Sequence, residues 1–165
     1  MPTLLLLLLA LVSIQLQALP RVRSEDPSIA AVIASAAGRS VTFERLLVTI
    51  RGTDGLVYVE QGACGHGVRA CLSLSVKVAG PFRLLRIRVD RRGVRTDRRQ
   101  AECALMTSIG HELQHAIEVL SDFHVTDMHS MYSFMERQGS ISLGRFETEA
   151  AIKVGLQVEK ETCRR

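Results

Sequence analysis

Tryptophan is absent from this 165-residue chain, and aromatics amount to two tyrosines and five phenylalanines. An aromatic core is thereby excluded, and the interior has to be built from aliphatic side chains. No internal repeat is visible, which excludes a repeat array. A strong net charge is also lacking. The formal charge is +4, and it falls to +2 if residues 1–24 are set aside: Arg21 and Arg23 go with them, so Lys+Arg drops from 21 to 19 against 17 acids. So mildly basic a protein gives no case for nucleic acid as a partner. What the length does allow is one domain with a core large enough to need no metal or disulfide.

Residues 1–20 contain no charged side chain, and residues 4–9 are six consecutive leucines. Gln15 and Gln17 then interrupt the apolar run before Pro20 and Arg21. This is the profile of a secretory leader over residues 1–24, with 25–165 as the remaining single domain. The rival reading is an uncleaved membrane anchor, for which the apolar run is short of the ~20 residues a span needs. The expected location is therefore exported, secreted or periplasmic, with membrane anchoring as the alternative. Four cysteines in an exported chain suggest disulfides. Cys64 and Cys71 flank a short glycine-containing segment and form the favoured bridge. Cys103 and Cys163 can pair only if the chain end returns to the helix that begins near Cys103. Two buried thiols are the alternative there.

Asp26-Pro27 reads as the start of a helix, with Gly38 placed to end it. Residues 42–50 and 56–60 read as strands of a hairpin around Gly52-Thr53-Asp54-Gly55. Residues 68–78 and 82–90 read as two more strands around Ala79-Gly80-Pro81. In the last, Leu85, Ile87 and Val89 alternate with Arg86, Arg88 and Asp90, so one face is buried. Eight arginines lie between residues 83 and 99; with Phe82 as the one aromatic nearby, they read as a solvated strand face and loop. From Asp97 the pattern is helical, with Leu105, Ile109, Leu113, Ile117 and Leu120 as its apolar stripe to about Leu120. Asp127 caps a shorter helix through Arg137, stopped by Gly139, and a last helix spans about 145–160. The expected class is α+β, a small mostly antiparallel sheet packed on helices.

The long helix carries His111-Glu112-Leu113-Gln114-His115, an H-E-x-x-H motif. Histidines four apart share one helical face and can reach one metal ion, with Glu112 placed to act as base on a water held there. Both lie off the apolar stripe, in line with Ala104, Ser108 and Glu118. A catalytic zinc takes three protein ligands. Glu118, seven residues past His111, is about 10 Å along the axis and suits a supporting role better than a ligand's. In the last helix Glu147 lies beside Ala150, Ala151 and Val154, small or slender side chains that permit close approach. Glu149 instead stacks with Lys153 as an exposed i, i+4 pair. Glu147 is therefore the expected third ligand and Glu149 the reserve. Tyr132 is the first choice for a donor to the oxyanion, with His124 and His129 as alternatives.

At these residues the chain resembles the zincin superfamily of zinc metallopeptidases, and its downstream glutamate looks most like the gluzincin branch. The metzincin pattern is not met, since Ser121 stands six residues after His115. The resemblance implies Zn2+ bound by His111, His115 and Glu147, Glu112 as general base, a peptide or protein substrate, and a zincin-like fold. It also implies an edge strand that binds substrate in extended form, for which residues 82–90 are the candidate. The expected protein is a monomeric exported metallopeptidase or related hydrolase. The alternatives are a non-enzymatic zinc-binding or interaction domain with a zincin-like fold, and a structural domain in which the motif is accidental.

Overall fold

The computed structural model describes residues 19–65, 67–91, 97–138, 140–142 and 145–163. The apolar run of the leader, His66, the arginines within 92–96 and the helix stop at Gly139 lie outside the described residues. In chain order the elements are β1 (Val22–Arg23), α1 (Pro27–Arg39), α2 (Val41–Arg51), β2 (Gly55–Gln61), β3 (Ala70–Leu72), β4 (Lys77–Ala79), β5 (Phe82–Val89), α3 (Arg98–Ser121), α4 (Met128–Gln138), β6 (Ser140–Ser142), β7 (Arg145–Glu147) and α5 (Glu149–Thr162). The protein is α+β.

The main sheet has the order β1-β2-β5-β3, with β4 also paired to β5. β1, β2 and β5 are mutually parallel, and β3 and β4 run antiparallel to β5. The mostly antiparallel sheet expected from the sequence is thus corrected to a mixed one, and the cause lies in residues 42–50. Their β-branched content suggested a strand turning back through residues 52–55. They form α2 instead. Ser40 Oγ accepts the Phe43 N–H at 2.9 Å, and Phe43, Leu46 and Ile50, at helical spacing, are all buried. Two helices between β1 and β2 make a crossover, and crossovers join parallel strands.

Residues 68–78 also differ from the single strand expected. Leu72 pairs with Ile87 and Lys77 with Leu84, so five steps on one side face three on β5. The surplus forms a bulge that separates β3 from β4. The turn at Gly80-Pro81 is where the sequence puts it, with Gly80 at φ 58°, the conformation a tight hairpin asks of its first loop residue. The alternation along β5 holds as well: Leu85, Ile87 and Val89 are buried while Arg86 and Arg88 are exposed. However, β5 is hydrogen-bonded to β2 on one side and to β3 and β4 on the other. It has no free edge, so the expectation that residues 82–90 bind substrate edge-on is overturned.

One arginine of the basic run is internal. Arg83 is buried, grips Asp54 with two hydrogen bonds of 2.8 Å, and donates to the carbonyls of Val119, Leu120, Asp122 and Val125. It thereby serves carbonyls at and just past the end of α3 and opposes the negative end of its dipole. The opposite end of α3 is capped by Asp97, whose carboxylate accepts the Arg99 and Gln100 N–H groups. Asp26 and Pro27 start α1 as expected, but Gly38 lies inside it. The helix ends where the Ser40 N–H meets Ala36 O at 2.9 Å, and Ser40 then caps α2. The last helix is shorter than expected, because residues 145–147 form β7 and Thr148 caps α5.

The core is aliphatic; Phe43 and Phe134 are the buried aromatics among the described residues. Val22 is 6% exposed and pairs with Val57. A leader extending to residue 24 would take β1 out of the sheet. Both disulfides form, Cys64–Cys71 and Cys103–Cys163, with Cα separations of 5.7 and 5.5 Å. The second ties the C-terminal end of α5 to the first turns of α3. Glu161 on α5 accepts from Ser40 Oγ, Thr42 N–H and Thr42 Oγ1 at the start of α2. Burial opposes its charge, but hydrogen bonds from Ser40, Gln157 and Thr42 outweigh it and hold the carboxyl at about 2, against 4.5 for an ordinary glutamate.

Removing Cys103–Cys163, which spans 60 residues, is expected to cost up to about 4 kcal/mol by loop-closure entropy, and removing the seven-residue bridge about 2. Denaturant unfolding of the two double-alanine variants checks the order. Because the folded pKa of Glu161 is depressed, its contribution is complete above about pH 4.5 and is lost as pH falls toward about 2. Glu161→Gln should therefore unfold at lower temperature than wild type near neutrality, with the gap closing through that acid window.

Candidate metal centre

α3 places His111 and His115 one turn apart on the face it presents to α5, with ring centroids 4.9 Å apart. Small residues on both helices allow the approach. A Cβ at Gly155 of α5 would lie 3.4 Å from the His111 ring, and one at Gly110 of α3 would lie 3.0 Å from Val158. α5 runs back along α3, with Cys163 at Cys103 and Gly155 at His111. Its N-cap, Thr148, consequently comes to Glu118 and brings Glu147, the last residue of β7, to the histidines.

Glu147 Oε2 lies 3.1 Å from His111 Nε2 and 3.9 Å from His115 Nε2. The ligand atoms of His111, His115 and Glu147 all fall within 4.8 Å of one another. Ligands at about 2.1 Å from one tetrahedral ion sit about 3.4 Å apart, between the two distances seen here. The donor set also passes a test of satisfaction: His115 Nε2 and Glu147 Oε2 are buried and have no hydrogen-bond partner among the described residues. Such atoms are costly to bury unpaired, and a cation between them removes the cost. The group can hold a metal ion.

The other ring nitrogens are engaged, which turns both Nε2 atoms toward the carboxylate. His115 Nδ1 is 2.9 Å from Glu118 Oε2, and His111 hydrogen-bonds the backbone of Ala151. Glu118 in turn accepts from Thr148 Oγ1 at 2.8 Å, and the same hydroxyl accepts the Ala151 N–H at 3.1 Å. One threonine therefore joins the start of α5 to the carboxylate that orients His115. Glu118 supports the site, as helix geometry implied. Thr148 was missed by sequence reading, although Thr148-Glu149 ahead of Ala150-Ala151 is a helix start and would have ended the helix before Glu147. The helix-face argument for Glu147 is corrected accordingly: it stands in a strand, and Ala151 and Gly155 supply the close approach. Glu149 pairs with Lys153 at 2.6 Å on the exposed side of α5, away from the histidines.

Burial, then the neighbouring His115, lowers the His111 pKa. Burial would lower His115 as well, but the Glu118 hydrogen bond and the charges of Glu112, Glu118 and Glu147 raise it. For Glu118, burial is outweighed by hydrogen bonds from His115 and Thr148, and its pKa falls. Glu112 is pushed up to about 7, mainly by burial, with His115 and the Leu72 N–H acting the other way. Its Oε2 accepts that N–H at 2.7 Å. Glu112 lines a cavity of about 390 Å³ together with His111, Glu147, Val68, Ala70, Thr107, Ser108, Ile152, Gly155 and Leu156.

Tyr132 is not brought to this cavity. It lies exposed on α4, and Glu136 one turn further along raises its pKa. Its expected role at the oxyanion is therefore overturned: α4 presents Met131, Phe134 and Met135 to the core and turns Tyr132 outward. His124 stacks against Phe123 at 3.9 Å, and neither it nor His129 lines the cavity. No protein-family model, curated protein or solved structure matches the chain.

Glu118→Gln leaves the three candidate ligands in place and removes the charge behind His115. It is expected to weaken divalent-metal affinity about 10–100-fold, measured by competition with a chromophoric chelator. An unchanged affinity would place the bound metal elsewhere.

Proposed function

We propose that this chain is a zincin-like zinc metallopeptidase acting in an oxidising compartment outside the cytosol. The observation that carries the reading is the meeting of Glu147 with the two histidines of an H-E-x-x-H helix, beside a cavity that Glu112 also lines. Zinc held by His111, His115 and Glu147 would supply a Lewis acid that acidifies water and polarises a carbonyl. Glu112 takes the proton of the attacking water on its carboxylate and returns it to the leaving amine. Burial, which raises its pKa, favours the protonated form that must hold the proton before releasing it. Glu118 and the Ala151 backbone hold the histidine rings in register throughout.

The substrate edge in this reading is β3. Asp90 N–H bonds Arg69 O, and Ser73 N–H bonds Arg86 O, both toward β5. By the period of two, Ala70 and Leu72 turn their peptide groups the other way. Ala70 lines the cavity, and Leu72 reaches Glu112. An extended peptide entering there would add to the sheet at Ala70 and displace the Leu72 contact to Glu112. The two disulfides suit an oxidising environment, and no described helix is long and apolar enough to cross a membrane. A monomeric exported enzyme with a peptide or protein substrate fits these features.

The bond from Leu72 to Glu112 also favours a second reading. A carboxylate held by a backbone N–H can be structural, which would make the chain a non-enzymatic zinc-binding interaction domain. Glu112→Gln separates the two. It is expected to retain one zinc per chain by elemental analysis and to lose peptide-library cleavage by at least about 100-fold, the scale of general-base catalysis. Wild-type protein that binds zinc yet cleaves no more than the variant would overturn the peptidase reading.

A further inference from the structure

The metal centre makes no use of the basic run, nor of the outer face of the sheet to which part of that run belongs. Side chains on this face come from β1, β2, β4 and β5, because inward positions alternate with outward ones. Val57, Val59, Leu85 and Ile87 point into the core, so Tyr58, Glu60, Arg86 and Arg88 point outward. In register, Arg23, Tyr58 and Arg86 form one row across three strands, and Glu60 and Arg88 the next. Lys77, opposite outward Leu84, lies on the same face. No described helix covers it, although parallel strands ordinarily bury both faces.

We infer that this face is a docking surface for an acidic polysaccharide. Charge is the first reason. Arg21, Arg23, Lys77, Arg86 and Arg88 stand here against Glu60, which pairs with Arg86 at 2.8 Å, and Asp90, next after Arg88 in the outward alternation. That concentrates on one face an excess of three positive charges, against a net charge of +4 for the whole chain. Asp54, whose charge Arg21 also feels, is hydrogen-bonded to Arg83. The arrangement of the aromatics is the second reason, and it selects the class of polyanion. The Arg21 guanidinium lies 4.3 Å from the centroid of Phe82, and that of Arg23 lies 4.7 Å from the centroid of Tyr58. Each ring has one face taken by a cation, which removes that face from stacking on a nucleobase, the contact that single-stranded nucleic acid relies on. Guanidinium groups are matched instead to sulfate or carboxylate oxygens, which they bind through paired N–H donors. The disulfides complete the argument, since they suit surroundings in which acidic glycans rather than nucleic acids are the common polyanions.

Fluorescence anisotropy with a labelled heparin decasaccharide tests this, with a labelled single-stranded DNA of similar charge as the comparison. Wild-type full chain should bind the glycan at about 0.15 M salt, where the screening length is about 8 Å, and lose affinity steeply as salt rises. Arg86→Gln/Arg88→Gln, at exposed positions, should weaken binding at least about tenfold without changing the unfolding temperature or zinc content. Glu60→Gln, which frees Arg86, should tighten binding, a gain that a merely structural role for the face would not produce. Absence of glycan binding, equal affinity in all three proteins, or DNA binding as tight as heparin would overturn the inference. None of these outcomes depends on peptide cleavage, so the polysaccharide site and the peptidase reading stand or fall separately.

Discussion

The close packing of α5 along α3 is the contact on which the rest of the structure depends. Glycines at positions 110 and 155 let the two helices approach until His111 touches the opposite backbone. Cys103–Cys163 closes one end of the pair, and Thr148 with Glu118 closes the other. Between those fixed points the relation of the two helices is set. Glu147 immediately precedes the Thr148 cap, so it is delivered to the histidines by the same packing. A Cβ at Gly155 would already be in van der Waals contact with a candidate ligand, so core packing and metal geometry meet at this position.

Arg83 plays the corresponding role between α3 and the sheet. It leaves β5 on the core side and collects the carbonyls at the end of α3, while Asp54 balances its charge at the end of the α2–β2 connection. A buried guanidinium with both a bidentate acid and several carbonyl acceptors is compensated rather than stranded. α3 is thereby held at its far end by β5 and near its middle by the Glu112–Leu72 hydrogen bond. That places β3 alongside the motif.

Local signals in the sequence fared well where they were strong and of short range. Asp26-Pro27, Asp97 and Asp127 start helices because a carboxylate can accept N–H groups two and three residues ahead. The alternation of Leu85, Ile87 and Val89 is a period-two pattern and reads as such. Residues 42–50 failed because two signals competed. Phe43, Leu46 and Ile50 mark a helix, while Val41, Thr42, Val48 and Thr49 favour a strand, and tertiary burial of the helical stripe decided. The edge status of residues 82–90 could not be read at all, since it depends on which strands lie alongside. Arg83 looked like one more surface cation, because nothing in the local sequence shows that carbonyls from α3 converge on it.

By itself, then, the sequence determined the helix that carries two histidines and a glutamate, its cap, its apolar stripe, and an even number of cysteines. Each of these follows from residues within a few positions of one another, where helix geometry alone fixes distance. Tertiary structure alone decided the sense of the sheet, the pairing of Cys103 with Cys163, the bond between Leu72 and Glu112, and the position of Glu147. These join residues roughly 30 to 60 positions apart, and through-space packing rather than backbone period sets such separations. Glu147 was reached from sequence by a helix face it does not occupy. The strand-and-cap geometry that brings it to the histidines exists only once α5 lies along α3.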